Sequence, residues 1–108
     1  MTQFDNREKA FESKYAHDQE FQFKVMARRN KLLGLWAAGE MGITGDAAAE
    51  YAISVVEADF QEAGDEDVFR KIKTDLDAKL VSVTEYRIRK EMDDLMTVAK
   101  QQIASEVA

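Results

Sequence analysis

The sequence predicts an all-α fold: a small four-helix bundle with a partly flexible, helix-competent N-terminal segment. Three observations carry this. The 108 residues include no proline and only five glycines in a background rich in Ala, Glu, Lys and Leu, a composition suited to helix interiors. Apolar residues recur at three- and four-residue steps in successive stretches separated by glycines and capping residues. Period-two alternation is confined to Phe21-Gln22-Phe23-Lys24-Val25, too short to outweigh the helical pattern around it. A chain of this length builds one core and no second domain.

The first helix has a candidate start at Asp5, with Glu8 three residues on, close to a capping-box arrangement. Nothing interrupts helix from there to about Ala38, where Gly39 and Gly42 supply the stop. Within this span the apolar register changes. Phe4, Phe11 and Tyr15 share one stripe, whose next positions, Asp18, Gln19 and Gln22, are polar. Val25, Met26, Leu32, Leu33 and Trp36 then form a second stripe. The run therefore has two jobs, and we divide the chain into an N-terminal segment, residues 1–20, and a helical body, residues 21–108.

Thr44 is placed to cap a second helix to about Gln61, with Ala48, Tyr51, Ala52, Val55, Val56 and Phe60 on its buried face. Gly64 ends it, and Asp65, Glu66 and Asp67 crowd the start of the third, where the helix dipole favours negative charge. The third helix presents Val68, Phe69, Ile72, Leu76 and Leu80. Ser82-Val83-Thr84-Glu85 reads as a capping box, with Val81 and Tyr86 spaced as a hydrophobic staple. The fourth helix lines up Ile88, Met92, Leu95, Met96, Ala99 and Ile103 and frays near Val107. Short connections favour antiparallel neighbours.

Composition excludes several classes of function. No run approaches the ~20 apolar residues of a membrane span, and no apolar signal-peptide region lies near the start, so no membrane insertion is expected. With no cysteine there are neither disulfides nor thiolate metal sites, and a reducing cytoplasm is the simplest setting. The net charge of -6 argues against nucleic acid as a partner. That charge is uneven. Residues 21–39 carry Lys24, Arg28, Arg29 and Lys31 and no acid, whereas residues 40–69 carry nine acids and no base. A basic helix lying beside acidic ones accounts for this, as does a partner surface.

No catalytic constellation is present: no GxSxG, no phosphate-cradling glycine loop and no HExxH. His17 and Asp18 are adjacent, and adjacent helix positions do not face each other. His17 reads as a solvated surface residue, with a pH-sensing role as the alternative. Gly64-Asp65-Glu66-Asp67 lacks the ligand spacing of a calcium loop, and helix capping explains its acids; no metal is expected. Arg28, Arg29 and Lys31, followed by Trp36, form the best candidate for binding an anion or a nucleotide, since guanidinium groups suit phosphate and an indole can stack on a base. Against this stands the plainer reading that Trp36 anchors the core while the charges stay in water over its edge.

The first stripe is the unusual feature. Burying its three rings would return roughly 1.5–3 kcal/mol apiece. Ordering about fifteen backbones costs ~1–2 kcal/mol each. Isolated helices this short are marginal in water. Unless the rings pack back on the bundle, the pattern describes a segment that folds into a groove on another protein.

The stretches "FDNREKAFESKYAHDQEFQFK", "ARRNKLLGLWAAGEMG" and "DFQEAGDEDVFRKI" resemble the zeta subunit family of alphaproteobacterial F-type ATP synthases. The similarity covers roughly residues 2–76 and continues more loosely through the fourth helix, with "RRNKLLGLWAA" and "AGDEDV" as its most distinctive blocks. The resemblance implies a four-helix ATPase inhibitor with no catalysis and no required cofactor of its own. Its N-terminal segment inserts as a helix at an interface of the catalytic head, formed by alpha, beta and gamma subunits, at the cytoplasmic face of the inner membrane. Phe4, Arg7, Phe11 and Tyr15 lie in the counterpart of that segment. The resemblance also implies weak ATP or ADP binding, which draws attention to Arg28, Arg29, Lys31 and Trp36, and a protein that is monomeric when free. Two alternatives stay open: a small adenine-nucleotide-binding regulatory module, and a helical adaptor.

Overall fold

The computed structural model of the chain describes the backbone of residues 2–59 and 65–107, and the side chains of residues 18–59 and 65–107. Four helices follow in order: α1 (Thr2–Glu40), α2 (Gly45–Ala58), α3 (Glu66–Ala78) and α4 (Glu85–Val107). The expected all-helical bundle is what forms, with no strand among the described residues. At 1.5 Å per residue, the 39 residues of α1 span ~58 Å and the 23 of α4 only ~34 Å.

Neighbouring helices run antiparallel. Arg28 near the middle of α1 meets Gln102 and Glu106 at the end of α4, while Trp36 further along α1 meets Arg87 at its beginning. Likewise Phe69 in the first half of α3 lies under Arg89 in α4, and Lys73 reaches back to the Val83 carbonyl. α1 and α2 approach each other closely. Gly34 sits against Ala52, where any Cβ would stand 2.6 Å from the Ala52 Cα. Only glycine permits that approach.

The core divides in two. The main cluster joins Leu33, Ala37, Val55, Val68, Phe69, Ile72, Leu76, Ile88 and Met92, drawing on all four helices. A smaller cluster of Val25, Ala99 and Ile103, with Phe21, Leu32 and Met96 packed against it, joins α1 to the last turns of α4. The polar positions Asp18, Gln19 and Gln22 are exposed, and Phe21 is the first described side chain packed on a core.

Two helices end in the same motif. At the end of α1, Ile43 donates to the Ala38 carbonyl and Gly42 to that of Gly39, with Gly42 at φ 74°. This is a Schellman closure with glycine in the left-handed position. Gly42 therefore supplies the stop, while Gly39 stays inside the helix. At the end of α3, Val81 donates to Leu76 and Leu80 to Asp77, but the left-handed residue is Leu80, at φ 60°. This corrects the expected α3 stripe. The closure turns Leu80 outward, leaving it 93% exposed, and brings Val81 to the core in its place.

The start of α4 is also corrected. Thr84, not Ser82, is the cap: its Oγ1 accepts a hydrogen bond from the Arg87 backbone N–H at 3.1 Å. With Thr84 at the cap, the staple positions shift to Ile88, in the main core, and Val83, packed against it, and Tyr86 is exposed. α2 ends at Ala58, short of Gln61, and the expected core position Phe60 lies outside the described residues.

Candidate functional site

The aromatic stripe of Phe4, Phe11 and Tyr15, together with Arg7 and His17, lies outside the residues whose side chains are described. The backbone of that segment is the first part of α1, continuous with the helix that supports both cores.

Immediately C-terminal to it, α1 carries the basic cluster, and the structure separates its members. Arg28 is half-buried and clamped to α4. One of its terminal nitrogens donates to Gln102 Oε1 at 2.8 Å and the other to Glu106 Oε1 at 2.7 Å. Arg29 points the other way and is 1% exposed. Its Nη2 donates to Asp65 Oδ1 at 2.7 Å and its Nε to Asn30 Oδ1 at 2.8 Å, while Asn30 Nδ2 is buried with no partner. Arg29 thus pins the start of α3 to α1. Asp65 occupies the cap position of α3 without a side-chain capping bond, and its carboxylate serves Arg29 instead. A charge this deeply buried persists only because it is paired. The position of Arg29 on the α1 stripe, four residues after Val25 and four before Leu33, is the sequence signal that marks it as inward-facing.

Lys31 is exposed, with no hydrogen bond or ion pair among the described residues. It shares with Arg28 a groove of about 510 Å³ between α1, α2 and the end of α4. Phe23, Ala27, Val56, Ile103 and Val107 contribute apolar surface, and Lys24 and Glu106 are its other charged lining residues. Trp36 is not part of it. The indole packs against the main core with the Arg87 guanidinium 5.8 Å from its ring centre, beside a groove of about 290 Å³ lined by Glu40, Ser82, Val83 and Thr84. The two grooves lie at opposite ends of α4. Of the four candidate anion-binding residues, Arg28 and Lys31 come together, Arg29 is buried in an ion pair, and Trp36 stands apart.

A third polar cluster links α2 to α3. Tyr51 donates to Asp75 Oδ2 at 2.8 Å, Lys71 donates to the same oxygen at 3.0 Å, and the Lys71 ammonium lies 5.2 Å from the Tyr51 ring centre. Burial first, and then the Asp75 carboxylate, push the Tyr51 phenol well above its ordinary pKa of 10.0. Every member has a partner, so the cluster is a brace rather than a reactive centre.

Among the described residues, no group of three or more His, Asp or Glu side chains is gathered as a metal ion would require, and no helix is long and apolar enough to cross a membrane. Among the described residues, α1 carries an exposed polar stretch at Asp18, Gln19 and Gln22, followed by a groove lined by basic and apolar side chains.

The family profile described as ATPase inhibitor subunit zeta matches residues 1–102. A solved solution NMR structure is 53% identical, with a TM-score of 0.71, over 79% of this chain and 96% of its own. No curated protein matches the chain.

Proposed function

The chain belongs to the ATPase inhibitor subunit zeta family, and on that premise we propose that it blocks ATP hydrolysis by the F-type ATP synthase through its N-terminal segment. Membership implies interaction with an ATP synthase. Residues 1–20 enter, as a helix, an interface of the catalytic head formed by alpha, beta and gamma subunits, while residues 21–108 stay outside and hold the helix in place. The protein works as a regulatory subunit without chemistry of its own, at the cytoplasmic face of the membrane.

What supports this reading is a polar, exposed stretch in α1 at Asp18, Gln19 and Gln22, which in the sequence separates the stripe of Phe4, Phe11 and Tyr15 from the α1 positions packed on the two cores. A rotary enzyme is held only by a ligand that binds one state better than the others. A stripe of three rings suits that purpose, because it fills a groove in one rotational state and loses its contacts when the groove changes shape.

The test is inhibition of ATP hydrolysis by the matching enzyme. Deleting residues 1–20 leaves both described cores whole, so the truncated body should keep its melting temperature and lose inhibition. In the full-length chain, Phe11→Ser should weaken inhibition by roughly ten- to a hundredfold, the equivalent of one ring's burial at ~1.5–3 kcal/mol. Undiminished potency in the truncated body overturns the reading.

A further inference from the structure

We infer that the groove between α1, α2 and the end of α4 is a second docking surface, and that its occupant is an acidic amphipathic helix on the partner protein. The identity of the carrier, the ATP synthase head, rests on the reading above; the chemistry of the groove does not.

The charge is the first argument. In a chain of net charge -6, the groove gathers Lys24, Arg28 and Lys31 against the single carboxylate of Glu106. The three cations stand at i, i+4 and i+7 on one face of α1, a line ~10 Å long. Glu106 offsets the charge of Arg28, and the charges of Lys24 and Lys31 face solvent. The Lys24–Glu20 pair is 3.6 Å apart, with side chains 46% and 65% exposed, so water already screens it. Arg28 is held in place by Gln102 and Glu106, and Lys31 has no partner among the described residues. A carboxylate brought to Lys31 breaks nothing.

The shape is the second. The volume of about 510 Å³ falls in the ~300–1,000 Å³ range of sites that bury ligand-sized groups. Its apolar lining of Phe23, Ala27, Val56, Ile103 and Val107 has no side-chain hydrogen-bonding group, so that part of the groove suits inserted apolar side chains. Cations strung along one line, rather than converging on one point, match carboxylates repeated at helical spacing better than they match a phosphate cluster. A concave floor admits inserted side chains, whereas a plane of lipid headgroups would meet only its rim. The groove also begins directly after the segment proposed to insert, so one partner can engage both along α1.

Three probes are titrated into the full-length ¹⁵N-labelled protein: a synthetic helix with a leucine face and glutamates at i, i+4 and i+7, vesicles containing phosphatidylglycerol, and ATP. The acidic helix should shift the amides of residues 24–31 and 103–107, and its glutamine counterpart should not. Lys24→Glu/Lys31→Glu, with both sites exposed and folding checked by circular dichroism, should weaken the acidic helix roughly tenfold; Lys31→Gln should weaken it less. If vesicles or ATP shift these residues and the acidic helix does not, the assignment is wrong.

Binding of the same proteins to the purified ATP synthase head is then measured at low and high salt. The double variant should bind more weakly and with a shallower salt dependence, while Lys100→Glu, outside the groove, should match wild type. Equal affinity of wild type and double variant for the head overturns the inference even if wild type inhibits. If wild type does not bind the head at all, the inhibitor reading fails, and the acidic-helix titration alone decides whether the groove assignment stands.

Discussion

Glycine at position 34 should be irreplaceable, whereas glycine at position 39 of the same helix should be improvable. An alanine Cβ at Gly34 would lie 2.6 Å from the Ala52 Cα and 3.2 Å from both Ala52 Cβ and Val55 Cγ2. Carbon atoms pack at about 3.5–4.0 Å, and a gap of 0.5–1 Å forfeits a quarter to a half of each contact's attraction. The atom struck is backbone and cannot rotate aside, so α1 and α2 must part by about 1 Å. Leu33, Ala37, Ala52 and Val55, each fully buried there, would lose contact together. Overpacking costs ~1–3 kcal/mol, and backbone contact places Gly34→Ala at the upper end. Better helix propensity returns at most ~1 kcal/mol, leaving a net loss of about 2 kcal/mol. Gly39 is exposed with nothing within 4 Å of its would-be Cβ, so Gly39→Ala keeps the propensity gain of ~0.5–1 kcal/mol. Thermal and urea unfolding followed by circular dichroism should show Gly34→Ala melting roughly 8 °C or more below wild type and Gly39→Ala slightly above it. If the two substitutions move stability in the same direction, the close α1–α2 approach does not hold the fold as argued.

Three further outcomes are expected. Leu80→Gly should stabilise the protein by about 0.5–1 kcal/mol in urea unfolding, because relief of a left-handed leucine at ~1–2 kcal/mol exceeds the added unfolded-state entropy, and at 93% exposure little burial is lost. Thr84→Ala should cost about 1 kcal/mol by losing the α4 cap, while Ser82→Ala stays within roughly 0.5 kcal/mol of wild type; equal effects would return the cap to Ser82. The Tyr51 phenol has a raised pKa in the folded state, so folding favours its neutral form: that stabilisation is full below pH 10.0 and declines as pH rises above it. Tyr51→Phe should therefore be less stable by ~1 kcal/mol near neutrality and show a flatter decline above pH 10.0, measured by urea unfolding across pH; an unchanged alkaline slope would count against the brace with Asp75.

The helices and their order were legible from sequence because periodicity and punctuation are local properties. Val68, Phe69, Ile72 and Leu76 declare a buried face at three- and four-residue spacing, and Gly42 can take the left-handed φ that closes α1. Tertiary structure decided what depends on partners distant in the chain. Four neighbouring polar residues look equivalent in "RRNK", yet helix geometry aims Arg29 at Asp65, Arg28 at Glu106, and Lys31 at open water. Leu80 matches the α3 spacing, but the closing turn rotates it into solvent and hands the core position to Val81. A stripe records which residues share a face. Which face meets another helix, and which charge finds its counterpart, is fixed only when antiparallel packing brings α1 against the far end of α4.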